Sequence, residues 1–149
     1  MEELIVSFDY TIWANKKWIE VLPLFPDRAR PEEVLRHMSF WQRTWLRRAS
    51  LHIAGEDLDM LDGLPVGDAL EQGARDWQNF LYRHADQDVT FERTEGGEYT
   101  FPLHRIAKQL VFHSTYHRGH LRGLAEAAGV EDFPDTDWFY FCADQERWK

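Results

Sequence analysis

Apolar positions recur at steps of three and four along most of the chain, the period of helices that bury one face. Phe8, Ile12, Trp13 and Ile19 set a first helix that Ser7 or Asp9 can cap and that runs to about Leu22, where Pro23 and Pro26 stop it. A second helix starts around Pro31, whose missing N–H costs nothing in a first turn, and Glu32 and Glu33 suit the positive end of that helix. Val34, Met38, Trp41 and Trp45 repeat along it; His37, three residues after Val34 and four before Trp41, falls on the edge of the apolar face. Glycine, aspartate and Pro65 then mark a loop from Gly55 to Gly67. A third helix, from about Val66 to Ala85, carries Leu70, Trp77, Phe80 and Leu81 on one side.

The period then changes. Val89, Phe91 and Arg93 alternate, Tyr99 and Phe101 follow, and Gly96-Gly97 breaks the run, which predicts a small hairpin or extended excursion too short to found a sheet domain. The last helix runs from about Pro102 to Ala128 and is closed by Gly129. Ile106, Leu110, His113, His117, Leu121 and Leu124 form a stripe on it that should face the core. Trp138, Phe139, Tyr140 and Phe141 then read as an aromatic tail packed back on the bundle in extended form. The expected fold is all-α: a four-helix bundle with a strand-like excursion before the last long helix, as one domain over 1–149.

Composition narrows the function classes. Seventeen Lys and Arg stand against 26 Asp and Glu, a formal charge of −9, so the average field repels phosphate backbones and argues against a nucleic-acid partner. Arg47-Arg48 and Arg28 with Arg30 are the densest basic spots and read as ordinary solvated patches. One cysteine, Cys142, excludes an internal disulfide and fits a reducing compartment. The acidic Met1-Glu2-Glu3 start is unlike a secretion signal, and no apolar run approaches the roughly 20 residues of a membrane span, so a soluble cytoplasmic protein is expected.

The chemical signal is histidine. His113 and His117 are four apart, which on a helix sets their side chains about 40° apart around the axis and roughly 6 Å apart along it, a spacing that lets two imidazoles face one ion. An isolated pair of this kind is a weak pattern and is more often a pair of core or surface histidines. His37 adds a third imidazole from a facing helix, the way helical bundles assemble metal sites, and two rings from one helix with one from another leave coordination positions open. The three rings are expected to converge inside the bundle. His120, three after His117, can serve as a ligand, a hydrogen-bond partner or a proton relay, and is the one catalytic candidate. His104 lies too far along the axis to share the ion, while His52 and His84 read as solvated or boundary residues. With no E-x-x-H pair beside the histidines a two-iron centre is disfavoured, and no nucleophile elbow, phosphate loop or dinucleotide fingerprint is present. Gly119 inside a helix points to close approach of another group; Arg118 is expected to pair with a carboxylate across the bundle ahead of receiving one from a substrate, and Asn15 to satisfy an internal hydrogen bond ahead of touching substrate.

His113-Ser114-Thr115-Tyr116-His117-Arg118-Gly119-His120 resembles the H-x-x-x-H-R-G-Q signature of the DinB-like (damage-inducible) family. Tyr10 to Asn15, the stretch Leu35-Arg36-His37-Met38 with Trp45-Leu46, and Thr136-Asp137 resemble further elements of that family in the same order. The resemblance implies a four-helix bundle, often a homodimer, with His37, His113 and His117 as ligands of a divalent metal. The sequence departs from the pattern at His120, where glutamine is usual. Related branches include transferases acting with low-molecular-weight thiols. The leading expectation is therefore a metal-dependent enzyme with a small-molecule substrate, a thiol transferase first, with zinc or nickel ahead of iron or cobalt as the ion. A hydrolase using metal-bound water, or a non-catalytic stress-response or binding protein with a structural metal, is the alternative.

Overall fold

The computed structural model describes residues 1–145. Five α-helices, one 3-10 turn (Leu22–Leu24) after the first of them and one hairpin make it up: α1 (Glu2–Val21), α2 (Ala29–Ala54), α3 (Val66–His84), β1 (Asp88–Glu92), β2 (Glu98–Pro102), α4 (Leu103–Ala127) and α5 (Trp138–Asp144). The fold is all-α apart from this two-stranded sheet, which precedes the last long helix as expected. Among the described residues no helix is long and apolar enough to cross a membrane.

The four long helices pack on a continuous apolar interior. Phe8 and Trp77 stack with ring centroids 6.1 Å apart, and Leu46, Leu81, Leu103 and Ala107 close around them. Towards the other end Trp18, Leu35, Met38, Leu70 and Leu121 form a second cluster. At about 25 cal/mol per Å² of apolar surface, each fully buried Leu or Phe of these clusters contributes roughly 1.5–3 kcal/mol. The large residues of α3 that its periodicity selects, Leu70, Trp77, Phe80 and Leu81, are all buried.

Helix ends follow local chemistry where it is strong. Gly55 closes α2 with φ 69°, and Gly129 follows α4 with φ 74° while Val130 N–H donates to the Ala125 carbonyl at 2.9 Å, the wrapped C-terminal motif that a left-handed glycine permits. Gly96 and Gly97, φ 91° and 87°, turn the hairpin.

Two expectations are corrected. Helix α1 does not start at Ser7 or Asp9 but at Glu2; Ser7 Oγ donates to the Glu3 carbonyl inside the helix, and Asp9 takes hydrogen bonds from Arg75 and Gln78 of α3. Burial of Ile5 and the packing of Leu4 on the core extend the helix beyond its local capping signals. The aromatic tail is helical, not extended: α5 sets Phe141 and Cys142 against Tyr10, Val6 and Trp13 of α1, and Trp13 Nε1 donates to Asp144 at 2.9 Å.

Candidate metal centre

His37 comes from the third turn of α2, His113 and His117 from successive turns of α4, and these two helices pack side by side. The three rings meet. Centroids are 4.4 Å apart for His113–His117, 4.6 Å for His37–His117 and 5.3 Å for His37–His113, and one nitrogen from each ring falls within 4.8 Å of the others. Among the described residues this is a group of donor side chains able to hold a divalent ion.

The spacing can be tested against the size of such an ion. His113 Nε2 and His117 Nε2 are 3.1 Å apart; two nitrogens at that distance, each about 2.0–2.1 Å from a shared ion, subtend about 95–102° at it. That angle lies between octahedral and tetrahedral values, so the pair fits one ion without moving. His117 Nδ1 is buried with no partner, so the Nε2 contact is the one hydrogen bond of this ring among the described residues.

The site is at the surface of the bundle and not inside it, a correction to the sequence reading. His113 and His117 are half-buried and His37 is exposed, because the seam between α2 and α4 opens towards the start of α2. There a cavity of about 160 Å³ is lined by Arg30, Glu33, Val34, His37, His117 and His120. The histidines are mutually repulsive when charged. Burial first, then the neighbouring His113, His37 and His120, lower the His117 pKa to about 4. Burial and His37 lower His113 in the same direction. Near neutral pH both rings are therefore uncharged, with a lone pair free for a metal.

His120 stands beside the cluster and outside it: its ring is 6.5 Å from that of His117, and it lines the cavity. His104 and His52 are exposed, and His84 contacts Gln87 and the Phe80 ring far from the cluster. Sequence reasoning passed over Glu33, which lines the same cavity and is held by Arg30 at 3.1 Å. Its signal was present: Glu33 is four residues before His37, hence on the same helical face.

Arg118, next to His117, turns the other way into the bundle. It is 3% exposed, donates from Nη1 to Asn15 Oδ1 at 3.0 Å and from Nη2 to Thr115 Oγ1 at 3.1 Å, and lies 5.0 Å from the Tyr10 ring centre. The expected carboxylate partner is replaced by these neutral acceptors and the Tyr10 ring, while Asn15 takes the internal role expected of it. Nothing lies within 4 Å of a Cβ built on Gly119, so the close approach read from that glycine is absent.

Comparisons with protein-family models, with curated proteins and with solved structures give no match to this chain. The site therefore stands on its own geometry.

Proposed function

We propose that the protein is a metal-dependent enzyme in which His37, His113 and His117 bind one divalent transition ion and leave coordination positions open to a small-molecule substrate. The observation that carries this reading is the 3.1 Å approach of the two α4 imidazole nitrogens, with a nitrogen of the third ring, from α2, within 4.8 Å of both. Without an ion the neutral pair can share one N–H···N hydrogen bond, but that bond has no place for a third imidazole; the convergence of His37 is what an ion explains. Three neutral imidazoles suit zinc or nickel first, and iron or cobalt next.

When bound, such an ion lowers the pKa of a coordinated thiol or water and so supplies a nucleophile near neutral pH. The chain's own groups divide the remaining work. The exposed edge at His37 and the adjoining cavity admit substrate. His120, on the cavity wall, relays a proton. The resemblance to the DinB-like family supports a low-molecular-weight thiol as co-substrate and a homodimer as the assembly; the lone, buried Cys142 suits a reducing cytoplasm.

Elemental analysis of untagged protein, paired with His37→Ala and His117→Ala, tests the site. Stoichiometric metal in the wild type, its loss in His117→Ala and a reduced content in His37→Ala are expected; full metal retention in both variants rejects the triad. A screen of thiol-transfer reactions with several low-molecular-weight thiols tests the chemistry, and activity without any thiol dependence points to the hydrolase instead. An ion whose removal melts the fold would mark the site as structural.

A further inference from the structure

The histidine cluster is one end of a longer seam. On α2, His37, Trp41 and Trp45 follow at steps of four; on α4, Ile106, Gln109, His113 and His117 follow at steps of three and four, so each set lies along one helical face. His37 meets His117 and His113, while Trp45 shares a cavity with Ile106 and Gln109, so the two helices run antiparallel and the seam continues away from the cluster. Further along it, one helical turn before His113 on α4, lies a cavity of about 470 Å³ lined by Trp45, Ile106, Gln109 and the hairpin residues Phe91, Tyr99 and Phe101.

The hairpin roofs this cavity without filling it. Phe91 pairs with Tyr99 and Val89 with Phe101, and alternate residues share a face, so all the apolar side chains of the hairpin turn the same way while Thr90 and Thr100 bond to each other on the opposite face. Val89 is fully buried, yet Tyr99 and Phe101 remain 38% and 40% exposed. Edge-on contact of Trp45 with Phe91, centroids 4.8 Å apart, fixes the wall.

Charge at the rim selects the occupant. Arg105 stands at the mouth in the first turn of α4, a turn that contains no acidic residue, so guanidinium and helix dipole both favour an anion there. Arg48 lies 4.8 Å from the Trp45 ring centre and 6.0 Å from that of Phe91. Among the described residues neither arginine has a carboxylate partner, although the chain carries a net charge of −9.

We propose that this cavity holds the apolar body of an aromatic or aliphatic acid whose carboxylate sits at Arg105 and whose far end reaches the histidine cluster. This names the substrate class of the metal site and rests on the metal reading given above. Eight residues separate Arg105 from His113, about 12 Å along the helix, which sets the distance between the acid group and the reacting end.

The test has two arms. In the first, naphthalene-2-carboxylate and its neutral counterpart 2-naphthalenemethanol are titrated by calorimetry into metal-free protein, wild type, Phe101→Ala and Arg105→Ala. Saturable one-to-one binding is expected, with the acid about fivefold tighter than the alcohol, that preference lost in Arg105→Ala, and both ligands weakened about tenfold in Phe101→Ala. No saturable binding, or equal binding to all three proteins, overturns the proposal. So does sedimentation showing a dimer that Phe101→Glu dissociates, since a second copy then covers this face.

In the second arm 8-mercaptooctanoate and 2-mercaptoethanol are added to cobalt-loaded protein. A cobalt–thiolate absorption band that saturates at lower concentration for the mercapto acid, and loses that advantage in Arg105→Ala, is the expected result. A band with no dependence on Arg105 overturns the shared use of cavity and cluster. Binding of the aryl acid in a protein that takes up no cobalt overturns the metal reading and leaves the cavity's ligand class standing.

Discussion

Arg118 donates to Asn15 across the interior, Nη1 to Oδ1 at 3.0 Å, and so ties α4 to α1 one residue beyond a candidate metal ligand. The guanidinium is nearly inaccessible and has only neutral acceptors, with its Nε unpartnered. Burial lowers its pKa, an effect that Tyr10 opposes. Alanine and methionine alike remove the donor to Asn15 and the buried charge, but alanine also opens a void that methionine refills. Arg118→Ala is expected to lose about 2–3 kcal/mol of stability and Arg118→Met about 1 kcal/mol or less, compared by urea denaturation. Equal losses would show that the hydrogen bonds, and not the packing, dominate.

Gly119 and Gly123 occupy the interior of α4, and a Cβ at either position would meet nothing within 4 Å. Alanine removes backbone freedom from the unfolded chain at no steric cost here. Gly119→Ala is expected to raise stability by about 0.5–1 kcal/mol and to leave metal stoichiometry unchanged, as read by thermal melting and elemental analysis.

The metal-free protein should lose stability between about pH 6.5 and pH 4. The unfolded chain binds protons at its histidines near pH 6.5, whereas folded His117 does so only near 4 and His113 is shifted the same way. More protons on the unfolded state mean that stability present above pH 6.5 is lost as pH falls through this window. Urea midpoints in a chelator at pH 7.5 and pH 5 measure the effect, and His117→Asn is expected to shrink it.

Metal binding should be unequal among the three ligands. His113 and His117 are already at ligand spacing, while His37 is exposed and contributes from another helix. His113→Ala and His117→Ala are expected to abolish binding; His37→Ala is expected to weaken it by about tenfold to a hundredfold, measured by competition with a chelating dye. Zinc at a hundred times its Kd should stabilise the wild type by about 2.7 kcal/mol, and the His117→Ala variant not at all.

The helices and the hairpin are legible in the sequence because their signals are local: the apolar steps of α3, the alternation around Gly96-Gly97 and the glycine after α4 each act within a few residues. The histidine cluster is legible for the same reason on α4, and through the edge position of His37 on α2. What escaped depends on distant partners. Helix α1 starts early because α3 and α4 cover Ile5, and α5 is helical because Tyr10 and Trp13 offer it a surface, neither of which a local pattern contains. Trp41 and Trp45 read as core by spacing, yet both are only half-buried; at Trp45 the hairpin roofs the surface without filling it. The partner of Arg118 lies 103 positions away and is not the carboxylate that charge alone predicts.

Tyr10 joins the C-terminal segment to the helix that carries the histidine pair. Its hydroxyl donates to the Thr136 carbonyl at 2.8 Å, its ring takes Trp138 and Phe141 edge-on, and the same ring faces Arg118. The C-terminal segment therefore works as a stopper: pulled out, it would let water reach the guanidinium and loosen the turn of α4 from which His117 projects, so damage well past the last histidine would be felt at the three-histidine cluster.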